Sequence, residues 1–233
     1  MKIALFGYGK MGQMIAQTAL DRGHEIVAKI DIDTKEIDFS NIDIAIDFSA
    51  PTAAYENIVS CFENNVPVIC GTTGWLDKFD DTKRICLEKN GAFIYASNFS
   101  LGVNVFFELN ATLAKMMKHL QHYKISVEEI HHTQKLDAPS GTAITIAEGI
   151  IENTQYISWA LDNVTDNQIP ITAKRVTTTP GTHTVAYDGA IDSIEIKHTA
   201  HNREGFAEGA VIAAEWLFGK TGVFTMKDVL NLK

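Results

Sequence analysis

In the first part of the chain, short apolar runs alternate with segments of helical periodicity. Ile3 to Phe6 is an unbroken apolar run stopped by Gly7, the pattern of a strand buried on both faces. Beyond Gly12 the period changes: Met14, Ile15, Thr18 and Ala19 recur at helical spacing, and the segment stops near Gly23. Glu25 to Ile30 is strand-like again and ends at Asp31. A βαβ unit with connections this short predicts parallel neighbouring strands and a right-handed crossover. The alternation continues with the apolar run Ile42 to Phe48, a helix from Pro51 to about Glu63, and a strand Val66 to Cys70 followed by Gly71-Thr72-Thr73-Gly74. A helix Leu76 to Lys89 and a strand Ala92 to Ala96 complete it. Five strands with intervening helices predict a doubly wound parallel sheet of Rossmann type.

Past Asn98 the grammar shifts. Gly102 to His119 reads as one long helix, with Phe106, Phe107, Leu113 and Met117 as a core or interface stripe. Tyr123 to His131 is strand-like, and a helix starts near Ser140 after a polar loop. Asn153 to Gln168 is polar and weakly patterned. Ala173 to Thr179, Thr182 to Ala186 and Ser193 to His198 read as antiparallel strands turning at Pro180-Gly181 and Asp188-Gly189. Glu208 to Phe218 is a last, apolar-faced helix. The expected class is therefore α/β: the Rossmann-type domain plus a second, α+β domain with an open mixed sheet. Residues 1–98 with 204–233 are expected to form the dinucleotide-binding domain, and 99–203 a substrate-binding and oligomerisation domain.

The opening loop gives the first chemistry. Gly7, Gly9 and Gly12 satisfy GxGxxG between a strand and a helix. Gly7 makes the tight turn, Gly9 admits a pyrophosphate to the backbone, and Gly12 permits close helix–strand contact. The helix N-terminus supplies N–H donors and partial positive charge. Asp31, about 20 residues on, is placed to accept from the adenosine ribose hydroxyls. Asp31-Ile32-Asp33 offers two carboxylates and no Arg, so a 2′-phosphate is repelled there; Lys10 and Lys29 are flexible point charges. NADH is expected to serve at least as well as NADPH.

Charge and cysteine content narrow the partners. A net charge of −9 speaks against nucleic-acid or anionic-membrane partners. The Met1–Phe6 run is too short for a signal segment, and no apolar stretch approaches ~18 residues. Cys61, Cys70 and Cys86 form no CxxC pair and read as reduced thiols of a cytoplasmic protein.

The densest chemical stretch runs from Glu129 to Ala143. It places His131, His132 and Lys135 at a strand end, and Ser140-Gly141-Thr142 at a helix start, where hydroxyls, N–H groups and the dipole suit an anion. Together they fit a substrate with carboxylates that takes up a proton during reduction. Adjacent histidines on a strand point to opposite faces, so no metal site is expected. His183, His198 and His201 are read as solvated or, for His198, as standing behind the site.

This stretch closely resembles the HHxxKxDxPSGTA signature of the 4-hydroxy-tetrahydrodipicolinate reductase (dihydrodipicolinate reductase) family. The resemblance extends over nearly the whole chain through Met11-Gly12, Gly71-Thr72-Thr73-Gly74, Ala96-Ser97-Asn98-Phe99-Ser100, Gly102-Val103-Asn104 and His198 to Arg203. It implies hydride transfer from NAD(P)H to a cyclic unsaturated dicarboxylate, with loss of water. It further implies His131 as general acid/base, Lys135 as a proton donor that also meets a carboxylate, and His132, Ser140, Gly141, Thr142 and Arg203 as the dicarboxylate cradle. Gly71, Thr72, Thr73, Ala96, Ser97, Asn98 and Phe99 match nicotinamide-side contacts, and Tyr8, Lys10 and Met11 belong to the phosphate loop. A homotetramer joined through the second sheet follows from the same resemblance. The chain departs from the family in a loop one residue shorter than GxxGxMG, in Ile32 where an Arg often follows the acid, and in a short stretch between Asp31 and Asp43.

Two rivals also fit a dinucleotide fold. A semialdehyde dehydrogenase needs a nucleophilic Cys beside a His, yet Cys70 ends a strand and Cys61 and Cys86 fall in predicted helices. A redox-sensing regulator needs a basic DNA-binding face, which a charge of −9 disfavours.

Overall fold

A computed structural model of the chain describes residues 1–34, 36–161 and 164–232. The chain divides into two compact units, Met1–Leu101 with the segment from Glu204 on, and Gly102–Arg203. Phe99, Ser100 and Leu101 thus belong with the first unit. Phe99 is 1% exposed in that unit's core, and a Cβ on Gly209 would stand 1.8 Å from its carbonyl oxygen.

The first unit is built on β1 (Lys2–Phe6), α1 (Lys10–Asp21), β2 (Glu25–Ile30), β3 (Ile44–Asp47), α2 (Pro51–Glu63), β4 (Val68–Cys70), α3 (Phe79–Glu88) and β5 (Ala92–Tyr95). Its six-stranded sheet runs β11-β5-β4-β3-β1-β2 and is parallel throughout, β11 being Gly222–Phe224. Ile3, Ala4, Leu5 and Phe6 are buried to within 1%, as a central parallel strand requires, and each larger side chain stabilises the fold by about 1.5–3 kcal/mol. Pro51 starts α2 because the first helical turn leaves its missing N–H unused. Ile42 and Phe48 fall just outside the strand that their run predicts. β11 is a sixth strand that its three residues are too few to announce.

The second unit contains α4 (Leu101–Met117, from Gly102 on), β6 (Lys124–His131), α5 (Gly141–Ile151), β7 (Ser158–Ala160), β8 (Gln168–Arg175), β9 (Gly181–Asp188) and β10 (Ser193–Ala200). Its sheet order is β10-β9-β6-β8-β7. β9 runs antiparallel to β6 and β10, and β8 runs parallel to β6 and β7, so the sheet is mixed and open. The antiparallel pair β9–β10 with its turn after Asp188 is as expected, and the sheet is the open mixed one expected; the correction concerns the strand from Ala173, which does not pair with β9. β8 starts earlier, at Gln168, and Pro180-Gly181 is no hairpin turn, because β6 lies between β8 and β9. The α5 crossover supplies the length that a parallel partner needs. The weakly patterned stretch Asn153 to Gln168 contains β7, with Asp162 and Asn163 outside the described residues. The Phe106, Phe107, Leu113 and Met117 stripe packs into the core shared by β6, α5, β8 and β9. The chain closes in the first unit with α6 (Glu204–Leu217), which extends further toward its N-terminus than periodicity indicates, β11 and α7 (Met226–Val229). No helix among the described residues is long and apolar enough to cross a membrane.

Candidate functional site

In the first sheet, β1 lies between β2 and β3, so the chain leaves β1 toward one edge and returns on the other side. That reversal is the switch point where parallel α/β sheets bind ligands. Gly7 sits there with φ of +86°, and a Cβ on it would stand 2.2 Å from the Phe48 carbonyl oxygen after β3. A Cβ on Gly12 would stand 2.2 Å from the Gly7 oxygen, so α1 approaches the loop as closely as backbone permits. Gly9 differs. It caps α1 without a side-chain bond, and a Cβ there would meet nothing within 4 Å. This open cradle at a helix N-terminus fits a pyrophosphate. Lys10 and Met11 fall on the first turn of α1, and Lys29 Nζ stands 4.3 Å from the Tyr8 ring centroid.

A cleft of about 600 Å3 opens beside this loop, lined among others by Tyr8, Gly9, Asp31, Ile32, Ser49 and Asn57. Asp31 is exposed; its Oδ1 accepts from the Ile32 N–H at 2.9 Å, which leaves Oδ2 for a ribose hydroxyl. Ile32, which follows it, is 95% exposed.

Gly71, Thr72 and Thr73 follow β4 and border a second cleft with Met11, Phe48 and Ser49. Gly71 is required by packing, since a Cβ would stand 2.3 Å from the Phe48 ring. The Thr72 hydroxyl is committed internally. It donates to Asp47, accepts from the Ser49 N–H at 2.8 Å, and the Thr72 carbonyl accepts from Trp75 Nε1 at 2.8 Å. Past β5, the Ala96 N–H donates to the Cys70 carbonyl at 3.2 Å, Ser97 is exposed, and Asn98 Oδ1 accepts from the Ser100 N–H at 2.9 Å. The Phe99 ring packs 5.8 Å from that of Phe48.

Asp47 is a residue that the sequence reading missed. It is fully buried at the end of β3 and accepts from Thr72, from the Ser49 hydroxyl at 3.0 Å and from Asn57 Nδ2 at 2.8 Å. Burial pushes its carboxyl above the usual value, and the bonds from Thr72, Asn57 and Ser49 pull it back. The carboxylate thereby ties the loop after β3 to the loop after β4. Asp47→Asn leaves one acceptor oxygen for these donors, so we expect a loss of about 1–3 kcal/mol, read as a lower midpoint in urea denaturation. An unchanged midpoint contradicts the tie.

The second unit gathers the proton-handling groups at the end of β6. Ile125, Val127, Glu129 and His131 alternate onto one buried face of that strand. In register, His183 of β9 stands opposite Glu129, and Arg175 of β8 opposite His131. The Ser140 side chain caps α5, accepting from the Ala143 N–H at 3.2 Å, while the Ser140 N–H donates to Glu129 Oε2 at 3.1 Å. Arg175 Nη2 donates to Glu129 Oε1 at 3.1 Å and to the Asp137 carbonyl at 2.7 Å, and its Nε donates to the Lys135 carbonyl at 3.3 Å. His131 Nδ1 faces Glu129 Oε2 at 3.4 Å, and the His131 and His183 rings lie 5.1 Å apart. A Cβ on Gly181 would press within 3.1 Å of His131 Nε2, which explains a glycine at the start of β9.

Burial pushes His131 below the usual histidine value. Glu129 opposes this, Lys135 and Arg175 add to it, and Asp137 opposes it. Burial, with His131, His198 and Lys135, pushes His183 down to about 3. His183 is 4% exposed, which corrects its reading as solvated. His198 is likewise lowered by burial, and its ring packs 6.1 Å from that of Phe106.

Lys135 Nζ donates to both oxygens of Asp137, at 2.8 and 2.7 Å. Burial raises the Asp137 carboxyl, but the hydrogen bond and charge of Lys135 bring it below the usual range. The pair is partly exposed, so it is worth about 0–1 kcal/mol and yields readily to an incoming carboxylate. Arg203 Nη2 donates to His132 Nε2 at 3.0 Å. Because a guanidinium only donates, His132 Nε2 is the acceptor of this bond. Gly141, at the start of α5, is exposed, and a Cβ there would meet nothing within 4 Å; Thr142 follows it in the first turn.

The structure thus brings His131 and Ser140 to Glu129, ties the Lys135 loop to Glu129 through Arg175, and pairs His132 with Arg203. Asp137, Glu129, Arg175 and His183 were not assigned roles from sequence. The legible signal was the acid at an inward position of a strand; the cross-strand partners required the topology. Glu129, His131 and His183 bring ligand atoms within 4.8 Å of one another, but Ser140 and Arg175 already engage both Glu129 oxygens.

Comparison with known proteins adds identity. A family model described as "Dihydrodipicolinate reductase, N-terminus" matches residues 1–99, and one described as "Dihydrodipicolinate reductase, C-terminus" matches residues 102–230. A 4-hydroxy-tetrahydrodipicolinate reductase of Christiangramia forsetii is 57% identical over 234 residues, covering 99% of this chain and 98% of its own. One of Clostridium novyi is 37% identical, covering 100% and 99%. The solved structure of a dipicolinate-bound dihydrodipicolinate reductase from Paenisporosarcina sp. TG-14 aligns with a TM-score of 0.78 at 22% identity, over 100% of this chain and 99% of that one, and shares the fold.

Proposed function

The chain belongs to the dihydrodipicolinate reductase family, and from that premise we propose that it reduces 4-hydroxy-tetrahydrodipicolinate to tetrahydrodipicolinate at the end of β6, with NAD(P)H, in diaminopimelate and lysine biosynthesis. The observation that carries the placement is the convergence of His131 and the start of α5 on Glu129, with Lys135 facing His131.

When bound, NAD(P)H would supply the hydride. The protein's part is to hold the dicarboxylate and to move a proton. Over the reaction one hydride and one proton enter and one water leaves. His132, Ser140, Gly141, Thr142 and Arg203 form the dicarboxylate cradle: Arg203 offers a forked donor, and α5 offers a partially positive N-terminus. Lys135 leaves Asp137 for a substrate carboxylate, and His131 delivers or accepts the proton near neutrality. The Glu129 site is read as proton-handling and not metal-binding. Arg175 and the Ser140 N–H each hold one of its oxygens, and the guanidinium repels a dication.

Gly7, Tyr8, Gly9, Lys10, Met11, Gly12 and Asp31 would hold the adenosine and phosphates. Gly71, Thr72, Thr73, Ala96, Ser97, Asn98 and Phe99 would stand on the nicotinamide side, Thr72 and Phe99 through backbone because their side chains are engaged within the unit. With Asp31 Oδ2 outside the bond to Ile32 and Ile32 exposed, NADH is expected to show a KM at or below that of NADPH; a large preference for NADPH contradicts this.

The three cysteines leave no room for acyl-enzyme chemistry. All are buried, and burial pushes each thiol up, Cys86 to about 11. Their free state supports a cytoplasmic location. A homotetramer joined through the second sheet is supported by its edge strand β10, where Ile194 is 38% exposed, and by Ile191, 97% exposed beside it. The mass in solution tests this.

A further inference from the structure

We propose that Glu129 is the positioning residue for His131: its Oε2, fixed by the Ser140 N–H and by Arg175 on Oε1, faces His131 Nδ1 at 3.4 Å and keeps a proton there, so that Nε2 is the nitrogen that exchanges protons with substrate. The inference rests on His131 being the acid/base of the reaction.

Three observations carry it. First, Glu129 is a fully buried carboxylate that touches the site only through its own protein partners. A buried carboxylate without a positioning task would be a liability, since ionised groups are expensive to bury. Second, its orientation is overdetermined. Ser140 is itself fixed as the cap of α5, and Arg175 simultaneously holds the Lys135 and Asp137 carbonyls, so one guanidinium couples Glu129 to the loop that carries Lys135. Third, His131 Nδ1 is sealed from solvent and makes no hydrogen bond in the resting structure, and the carboxylate oxygen facing it is Glu129 Oε2 at 3.4 Å, close enough for a small ring movement to close the bond. A base oriented by a third group through its far nitrogen is a recurrent catalytic arrangement.

The groups that face His131 are Glu129 on its own strand, Lys135 and Asp137 on the following loop, Arg175 on β8 and His183 on β9. Lys135 and Arg175 disfavour a charged ring, and Glu129 is the nearest group that favours it. His183 is uncharged at neutral pH and serves as a wall, its Nε2 3.3 Å from Ser140 Oγ. Removing the Glu129 charge therefore leaves His131 between two cations, with Asp137, itself bonded to Lys135, as the remaining counter-charge.

The test is the pH profile of kcat for Glu129→Gln, which keeps shape and loses charge. The limb that reports His131 is expected to move to lower pH by about one unit or more. At neutral pH kcat is expected to fall by about 10-fold or more, with the substrate KM changed far less, because Glu129 does not meet the substrate. Glu129→Asp, which restores the charge, should bring the limb part of the way back. If Glu129→Gln does not fold, Arg175→Lys serves in its place. It keeps a cation near Oε1 but loses the fork to the two carbonyls, and the same direction of shift in the limb is expected. A profile that keeps its limb while the whole curve drops, or does not drop, overturns the proposal. His131→Gln measured alongside separates the two levels: loss of the limb there upholds His131 as the acid/base whatever Glu129 does, and a retained limb refutes His131 itself.

Discussion

Replacing His131 by Gln lowers kcat by about 10²-fold or more, the scale of lost acid/base catalysis, while the protein remains folded. The ring is buried at the end of β6 against Glu129 and beside His183, so the amide fills much of its space but neither gains nor loses a proton near neutrality. Lys135→Gln lowers kcat to a similar extent and also raises the substrate KM, because Lys135 is assigned both a proton and a carboxylate. Its present partner Asp137 is partly exposed, so the loss reports on substrate and not on the integrity of the loop, which Arg175 holds through the Lys135 and Asp137 carbonyls. Steady-state kinetics over a range of pH separate these outcomes. Near-normal turnover in both variants refutes the placement of the chemistry at this end of the sheet.

The second large effect lies in the nucleotide unit. Gly7→Ala puts a Cβ 2.2 Å from the Phe48 carbonyl oxygen, on a residue whose φ is +86°. Left-handed backbone disfavours a non-glycine residue by about 1–2 kcal/mol, and forced overpacking adds about 1–3 kcal/mol. A loss of about 3 kcal/mol lowers Tm by roughly 6–12 °C for a chain of this size. The shift required to relieve the clash parts the β1 and β3 turns, so the KM for NADH rises as well. Gly9→Ala is the internal comparison: its Cβ meets nothing within 4 Å, so stability is kept and any rise in KM reports crowding of the phosphates alone. Differential scanning calorimetry with kinetics tests the pair. Equal stability of Gly7→Ala and the parent contradicts the account.

The first unit was largely legible from sequence because its signals are local. β2 and α2 coincide with Glu25 to Ile30 and Pro51 to Glu63, since an apolar run ended by Asp31 and a proline at a helix start are properties of the segment itself. The turn at Gly7 and the close approach at Gly12 could be assigned in advance for the same reason. Asp47 could not, because nothing local distinguishes an acid that ends a strand in solvent from one buried under Thr72, Ser49 and Asn57 of other loops.

The second unit was legible in its elements and in its β9–β10 hairpin, but not in the pairing of β8. Pro180-Gly181 has the composition of a hairpin turn, yet β9 pairs with β6 and β10, and β8 reaches β6 from its other side. That one difference decides the site. It puts His183 opposite Glu129 and Arg175 opposite His131, neither of which a meander would have done. The motif around His131, Lys135 and Ser140 was readable because it is contiguous. Its electrostatic setting was not, because it comes from strands that lie more than forty residues away along the chain.

The most direct measurement of the central claim follows NADH oxidation by the purified protein, with and without freshly generated 4-hydroxy-tetrahydrodipicolinate, the product of dihydrodipicolinate synthase. The account predicts oxidation that depends on that substrate and is lost by about 10²-fold or more in His131→Gln. A parent protein that leaves both NADH and NADPH untouched in the presence of the substrate would contradict it.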